Sequence, residues 1–329
     1  IDGLAADPHP HYGVSTGFGA LATTFIAPAR RRQLQVSLIR SHAAGTGPEV
    51  ETEVVRALQL LRLQTLASGH SGVRPVVVVT YAAMLNAGIT PIVREYGSLG
   101  CSGDLAPLSH VALAAMGEGD VRDAAGVLQP ASEALASAGI EPLVLVEKEG
   151  LALINGTDGM LGMLVLALHD LETLVTTADL SAAMSIESQL GTDAVFAADL
   201  MALRPQLGQA ASAANLRAFL GDSPMVASHK GPDDGRVQDA YSLRCSPQVH
   251  GTARATMAHA TMIAERELAS VIDNPVITSD GRIESNGNFH GAPVAAVLDF
   301  LAISEADVAS ISERRTDRAL DPARSHALP

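Results

Sequence analysis

The chain has 329 residues, of which 47% are apolar, and its mean hydropathy of +0.21 supplies enough apolar material for a large core and excludes a mostly disordered protein. Aromatic residues make up only 3%, so small aliphatic side chains must fill that core, which favours packed helices over a β-sandwich. The net charge of −14 argues against a nucleic acid or an anionic membrane as partner.

The first third of the chain predicts an irregular segment followed by helices. Residues 1–29 are rich in Gly, Pro and small polar residues. Across residues 30–66 leucine and valine recur every three or four positions, and Gly45-Thr46-Gly47-Pro48 interrupts them, which predicts a helix, a loop and a longer helix. Residues 76–86 begin with four valines, as a strand would, but continue in a helical pattern, so we predict a helix.

The middle of the chain predicts loops and one long apolar helix. Asp104 is the candidate N-cap of a helix that starts after a Gly- and Ser-rich loop. The run Leu143-Val144-Leu145-Val146 predicts a short strand. Residues 159–190 are apolar almost all round, which predicts a helix inside a bundle. Residues 203–249 predict a long irregular segment.

Two further long helices are predicted over residues 252–272 and 292–315, and Asp280-Gly281 between them predicts a small hairpin. The predicted fold is therefore mostly α, with a long-helix bundle core and an irregular, loop-rich N-terminal region. We expect two domains, a loop-rich one over residues 1–158 and a helical bundle over residues 159–329.

The cysteines, the apolar runs and the metal-binding patterns indicate the cellular compartment and the class of protein. Two cysteines, Cys101 and Cys245, are too few for a disulfide framework and are typical of a reducing, cytoplasmic setting. The most apolar run, residues 160–168, ends at His169 and Asp170, too early to span a bilayer. No HExxH or CxxC pattern occurs, so we expect no metal.

The glycine-rich loops imitate known phosphate and hydrolase motifs without completing them. Gly17-Phe18-Gly19 resembles a dinucleotide fingerprint, but no predicted strand precedes it. The segment 97–105 lacks the lysine of a P-loop, and Asp104 stands where a hydrolase elbow has its last glycine. A triad of Ser102, Asp104 and His110 would place the histidine about a turn and a half along the helix, a poor position for reaching Ser102.

A different chemistry is open to the backbone of Cys101-Ser102-Gly103. The nitrogen of Gly103 can attack the carbonyl carbon of Cys101 and close a five-membered ring. Loss of water from that ring and of the Ser102 hydroxyl as a second water leaves an exocyclic methylidene, which is an electrophile. Glycine is needed because a Cβ would crowd the attacking nitrogen, and serine is needed because its oxygen must leave.

The segment around this tripeptide resembles the signature of the ammonia-lyases that carry the 4-methylideneimidazol-5-one (MIO) prosthetic group. It reads Gly97-Ser98-Leu99-Gly100-Cys101-Ser102-Gly103-Asp104-Leu105-Ala106-Pro107-Leu108-Ser109-His110. Four further blocks occur in the family's order and spacing: Tyr12 to Gly19, Asn155-Gly156-Thr157, Gln238 to Cys245, and Asn286 to Gly291. The resemblance therefore covers essentially the whole chain.

Two features refine the resemblance. Ser41-His42-Ala43-Ala44-Gly45 is similar to the version in family members that act on histidine, which implies conversion of L-histidine to trans-urocanate and ammonia. Cys101 replaces the commonest alanine of the tripeptide and only decorates the ring. Chains of this family begin before a residue like Ile1 and continue beyond one like Pro329, so we expect a longer protein whose C-terminal part supplies a carboxylate near the imidazole.

The resemblance also implies a role for each site residue. Cys101, Ser102 and Gly103 would form the MIO, and Tyr12 would remove the β-proton. Asn155 would donate to the ring oxygen, and Arg244 would bind the substrate carboxylate. The remaining pocket residues would be Tyr241, Gln238, His42, which would contact the imidazole, and Phe289. Helix starts at Asp104 and at residues 156–159 would direct two positive dipole ends towards the ring.

The family assembles its active sites from several subunits of a homotetramer, and the long apolar helices are suitable material for it. Three alternatives stay open from the sequence. The same chemistry could act on tyrosine or phenylalanine, an aminomutase could return the ammonia to the β-carbon, or the chain could be an inactive helical scaffold with an unmodified tripeptide.

Overall fold

The computed structural model describes residues 1–100, 103–232, 234–235 and 237–325. The chain forms two compact units. The first unit comprises Ile1–Leu164 and Ala264–Ala295, and the second comprises Val165–Ile263 and Ala296–Pro329. The predicted domain boundary at residue 158 stays a prediction.

Helices dominate both units. In chain order they are α1 Asp2–Ala6, α2 Pro28–His42, α3 Thr52–Ala67, α4 Pro75–Asn86, α5 Leu105–Ala115, α6 Ala131–Ser137, α7 Glu149–Ile154, α8 Asp158–Ser188, α9 Ala198–Ala202, α10 Leu207–Leu220, α11 Pro224–Ala227, α12 Tyr241–Arg244, α13 Ser246–Leu268 and α14 Ala292–Leu320. The strands are β1 Thr46–Glu49, β2 Thr90–Pro91, β3 Arg94–Tyr96, β4 Asp120–Arg122, β5 Leu128–Pro130, β6 Val276–Ile277 and β7 Ile283–Glu284.

Short antiparallel pairings join the loops of the first unit. β1 pairs with β3, β4 lies between β2 and β5, and β6 pairs with β7. Around them α2, α3, α4, α5 and α7 share one hydrophobic core. α4 illustrates why these segments are helical, since Pro75 starts it without losing a needed N–H, and Val77, Tyr81 and Met84 are buried at helical spacing.

The second unit has its own core around α8 and α10. Ala182, Ala183 and Ile186 of α8 are buried together with Leu216 and Leu220 of α10. Small side chains on α8 allow close helix packing, as the low aromatic content of the chain predicts. The mostly helical prediction is confirmed, with helices of 31, 23 and 29 residues in the three places expected of long helices.

Several local predictions are also confirmed. The valine-rich segment is the helix α4, and Asp280-Gly281 lies between the paired strands β6 and β7. α2 and α3 flank the predicted loop, in which β1 adds a short strand.

The predicted strand over residues 143–146 is wrong. Leu143 and Leu145 are buried and Val144 is exposed, so the alternation of a strand is present. Among the described residues no strand lies alongside this segment; the Leu143 N–H donates to the Ala115 carbonyl, and the Val144 carbonyl accepts from Arg74. A single extended segment without a ladder of backbone hydrogen bonds is not a β-strand.

The predicted irregular segment over residues 203–249 is also wrong, because α10, α11, α12 and the start of α13 lie in it. α10 buries Gln209, Ser212 and Ala213 alongside two leucines, so large apolar residues do not mark its inner face. Because polar and small residues occupy this face, hydrophobic periodicity does not reveal the helix in the sequence.

One helical stretch in the described part of the chain, Glu149–Ser188, is long and apolar enough to cross a membrane by length and composition alone. Of its most apolar window, 72% is buried inside the structure, as in a core helix.

Candidate active site

Gly103 lies where three loops of the first unit meet. Its φ is +81°, and a Cβ at this position would lie 2.4 Å from the carbonyl oxygen of Gly156 and 3.3 Å from that of Phe289. Its N–H donates to the carbonyl of Gly100 over 3.4 Å. Only glycine fits this turn, which is what ring closure by the Gly103 nitrogen requires. The other two predicted ring residues, Cys101 and Ser102, lie outside the described residues.

The first turns of α5 and α8 are joined directly behind Gly103. The backbone N–H of Asp104 donates to the Gly156 carbonyl over 2.7 Å, and the Asp104 carboxylate accepts from the N–H of Met160 over 2.8 Å. Asp104 is the N-cap residue of α5, as predicted, but its side chain makes no capping bond to that helix and instead accepts from the first turn of α8. The positive ends of two helix dipoles thus lie next to the candidate ring site.

Two buried carboxyl groups and one buried guanidinium surround these helix starts. Burial raises the pKa of Asp158 to about 6, against the opposing effect of Arg62, and burial also raises the pKa of Asp104. Arg62 lies 3.6 Å from Asp158 and donates to the carbonyls of Asn155 and Ile272 over 2.9 and 2.8 Å. The guanidinium therefore ties the Asn155 segment to the chain just before the β6–β7 hairpin.

Sequence reasoning missed Arg62 and Asp158. A signal was available for Arg62, since it shares one helical face with Leu58 and Leu66, both buried, at steps of four residues. A charged residue on the apolar face of a helix is buried only when it is paired, which points to a polar network.

Asn155 follows the last residue of α7 and is buried. It is the C-cap residue of that helix, and its side-chain amide donates to the Asn274 carbonyl over 3.0 Å. An amide nitrogen carries two hydrogens, and this contact uses one of them. The predicted contact of Asn155 with the ring oxygen involves residues outside the described part and stays a prediction.

Tyr12 lies in a turn of the N-terminal segment. Its hydroxyl accepts from the N–H of Gly19 over 3.2 Å, and its ring meets Phe18 edge-on at a centroid distance of 6.3 Å. The next residue, Gly13, has φ +75° and accepts from the N–H of Lys148 over 3.1 Å. The turn that carries Tyr12 is thereby attached to the start of α7, the helix that ends at Asn155.

His42 and Phe289 belong to the same unit. His42 ends α2, and its Nδ1 lies 2.9 Å from the Leu38 carbonyl, so Nδ1 carries the hydrogen and donates it. Phe289 is half-buried, and its backbone carbonyl faces Gly103. The structure thus brings Gly103, Asn155's neighbour Gly156 and Phe289 together in one cluster.

The remaining predicted residues belong to the second unit. Gln238 is exposed in the segment before α12, and Tyr241 at the start of α12 is 72% exposed. The Arg244 guanidinium lies 4.7 Å from the centroid of the Tyr241 ring, and its Nε donates to the Asp239 carbonyl over 2.9 Å. A guanidinium stacked on an aromatic ring presents N–H groups in a planar fork that is suited to binding a carboxylate.

The hydrolase interpretation finds no support in these contacts. His110 accepts from the backbone N–H of Gly45 through Nε2 over 3.1 Å, and burial followed by the charge of Arg94 lowers its pKa. Asp104 is bound to the N–H of Met160 instead of to His110. Within the described residues no group of three or more His, Cys, Asp or Glu side chains could hold a metal ion.

Comparison with known proteins gives a consistent result. The family model described as "Aromatic amino acid lyase" matches residues 1–329. A histidine ammonia-lyase of Streptomyces avermitilis is 64% identical over 329 residues, which is 100% of this chain and 64% of that protein. The chain thus spans about two thirds, 64%, of the length of this curated relative.

Solved structures are similar over the whole chain as well. The histidine ammonia-lyase from Trypanosoma cruzi superposes with a TM-score of 0.86 at 37% identity, covering 100% of this chain and 61% of that one. A tyrosine aminomutase from Streptomyces globisporus gives a TM-score of 0.89 at 39% identity, covering 100% of this chain and 65% of that one.

Proposed function

The chain belongs to the aromatic amino acid lyase family, and we propose that it catalyses the non-oxidative deamination of L-histidine to trans-urocanate and ammonia. The observation that carries this proposal is the turn at Gly103, where a Cβ would collide with the Gly156 carbonyl. A glycine forced into this turn, between the starts of two helices, suits a peptide that must cyclise. The similarity to histidine ammonia-lyases supports the choice of substrate.

Cys101, Ser102 and Gly103 would form the MIO group, which supplies an electrophile for the substrate. Around it, the N–H groups at the starts of α5 and α8 would stabilise negative charge, because helix N-termini carry partial positive charge. Asn155 would donate its second amide hydrogen to the ring oxygen, since the first is held by Asn274. Loss of a donor of this kind typically raises a barrier by about 3 kcal/mol.

Tyr12 would act as the base that takes the β-proton of the substrate. A phenol ordinarily has a pKa of about 10 and therefore needs a positive surrounding to work near neutral pH. The helix N-termini would provide that field. The attachment of Gly13 to Lys148 would hold the Tyr12 turn in place.

The remaining residues of the motif blocks would hold the substrate. Arg244 would bind the carboxylate through two parallel hydrogen bonds, with Tyr241 and Gln238 lining the same pocket. His42 would contact the imidazole through Nε2, since Nδ1 donates to Leu38. Phe289 would contribute an apolar wall.

We further propose a cytoplasmic homotetramer with active sites shared between subunits. The loop-rich residues 1–158 would carry the ring, and residues 159–329 would form the helical bundle. Exposed apolar side chains on α8, including Leu174, Leu180 and Met184, support an assembled state, because a monomer in water would leave them uncovered.

An aminomutase acting on tyrosine is the second candidate, favoured by the similarity to the Streptomyces globisporus enzyme. Ser41-His42-Ala43-Ala44-Gly45 favours histidine over tyrosine, because it resembles the version in family members that act on histidine.

Incubation of the purified protein with L-histidine, L-tyrosine and L-phenylalanine in parallel distinguishes the candidates. We expect urocanate and ammonia in equal amounts from L-histidine and at most traces of product from the other two. A β-amino acid formed from tyrosine would instead establish the aminomutase.

A further inference from the structure

A fully buried ion pair lies beside the Tyr12 turn. The ammonium of Lys148 donates to the carboxylate of Asp273 over 2.7 Å, and neither side chain is exposed. Removing two charges from water is costly, and such pairs are often no more stabilising than apolar side chains of the same size. Stability alone therefore does not explain why an ion pair is buried at this position.

On one side, Lys148 contacts the turn that carries Tyr12. The N–H of Lys148 donates to the Gly13 carbonyl, and a Cβ at Gly13 would lie 3.6 Å from the Lys148 side chain. Lys148 has φ +72° and immediately precedes α7, the six-residue helix that ends before Asn155. The backbone and the side chain of Lys148 therefore both fix the position of Gly13, the residue after Tyr12.

On the other side, Asp273 fixes the segment that contacts the Asn155 side chain and lies against Gly13. Its Oδ1 accepts from the N–H of Asn274 over 2.7 Å, and the Asn274 carbonyl accepts from the side chain of Asn155. The next residue, Pro275, lies 3.7 Å from the position of a Cβ at Gly13. Lys148 thus contacts Gly13, the residue after Tyr12, and the segment that follows Asp273 contacts both Gly13 and the Asn155 side chain.

We propose that the Lys148–Asp273 ion pair positions the Tyr12 turn and the Asn155 amide relative to each other, so that base and hydrogen-bond donor are held at a fixed separation. This inference rests on the proposed function for the roles of Tyr12 and Asn155. Lys148 and Asp273 are positioning residues, since they act through Gly13 and Asn274. The neighbouring Arg62 holds the same segment by donating to the carbonyls of Ile272 and Asn155. Neither of these two hydrogen bonds involves Gly13.

The test compares three variants of the full chain. The double variant Lys148→Met with Asp273→Leu removes both charges at similar side-chain size, so no unpaired charge stays buried. Asp273→Asn keeps the size and one acceptor oxygen for Lys148. The control, Arg122→Met with Glu49→Leu, removes an ion pair of 2.9 Å in the same unit that is partly exposed.

Hydrogen–deuterium exchange of the peptide over residues 11–19 is measured alongside kcat and KM. In the double variant we expect exchange of this peptide to rise by about tenfold while exchange in α4 stays nearly unchanged. We expect kcat to fall about 10- to 100-fold, because a misplaced base loses orientation, with KM changing far less. Asp273→Asn should give intermediate values, and the control should match the parent chain.

Unchanged exchange at residues 11–19 in the double variant overturns the proposal, and so does an equal rise in α4, which would indicate general destabilisation. If the double variant does not fold, Asp273→Asn decides the matter by the same two measurements. If the parent chain does not deaminate histidine, the proposed function fails, while the exchange result still decides whether this ion pair holds the Tyr12 turn.

Discussion

At the scale of single residues, Gly103 combines a positive φ with a Cβ position only 2.4 Å from a backbone oxygen, so we expect it to tolerate no side chain. Gly126 has a similar φ of +79° but no atom within 4 Å of a Cβ, so it is a matched control for backbone strain without collision. Gly126→Ala should lower the free energy of unfolding by about 1–2 kcal/mol. Gly103→Ala should lower it further and block ring formation, which thermal unfolding and intact mass would report together. A Gly103→Ala protein that unfolds like Gly126→Ala and still loses two waters would contradict this account.

In the proposed reaction Tyr12 would take the β-proton. Tyr12→Phe removes the hydroxyl but keeps the ring that packs on Phe18. We expect kcat to fall about 10²- to 10⁴-fold, the usual contribution of a positioned base. Tyr96→Phe, at an exposed tyrosine of the same unit, should leave kcat unaltered. Steady-state kinetics on L-histidine measures both, and a Tyr12→Phe enzyme as fast as the Tyr96→Phe enzyme would exclude Tyr12 as the base.

Asp158 makes stability depend on pH. Burial raises its pKa from 3.8 to about 6, so between these values the folded state binds a proton that the unfolded state has released. Its contribution therefore becomes unfavourable as pH rises from about 4 to about 6 and is constant above, by about 2–3 kcal/mol. Asp158→Asn lacks this titration, so the variant should gain stability relative to the parent over that pH range. Denaturant unfolding at pH 4.5 and 7 measures the difference; an unchanged difference would contradict the assignment.

At the scale of elements, the first turn of α8 depends on a side chain from another helix. Asp104 supplies the acceptor for the Met160 N–H, so Asp104→Ala leaves a buried N–H without a partner and should cost about 1–3 kcal/mol. Asp104→Asn keeps an acceptor oxygen and should cost less, because burial already favours the uncharged carboxyl. Ser223→Ala, which removes an ordinary N-cap from the short helix α11, is the comparison. Equal losses for Asp104→Ala and Asp104→Asn in thermal unfolding would show that the cap has no role.

Helices could be predicted where large apolar residues repeat at helical spacing, as in α3, α4 and α8. Prediction failed at α10, whose inner face carries Gln209, Ser212 and Ala213, and at residues 143–146, where alternation occurs without a partner strand. Periodicity records which residues are buried, but it does not record what they are buried against. The same limit explains why the position of Asp104 as the N-cap residue of α5 was predicted but the contact of its side chain with α8 was not.

At the scale of the whole molecule, the candidate site could be predicted only in part. The glycine at 103 and the residues of the motif blocks were predicted from motif order. The buried groups that connect them, Arg62, Asp158, Lys148 and Asp273, were not, since their partners lie up to 210 residues away in the chain. Ion pairs and backbone contacts at such separations exist only after folding, so no local pattern specifies them.

The central claim is that residues 101–103 cyclise when the surrounding first unit folds. High-resolution intact mass of the purified protein, compared with a Ser102→Ala variant that cannot lose the serine hydroxyl, tests it most directly. We expect the parent chain to weigh less than its sequence by two water molecules, whereas the Ser102→Ala protein, which has no hydroxyl to lose, should not show this loss of two waters relative to its own sequence. A folded parent protein with the full mass of its sequence would contradict the account.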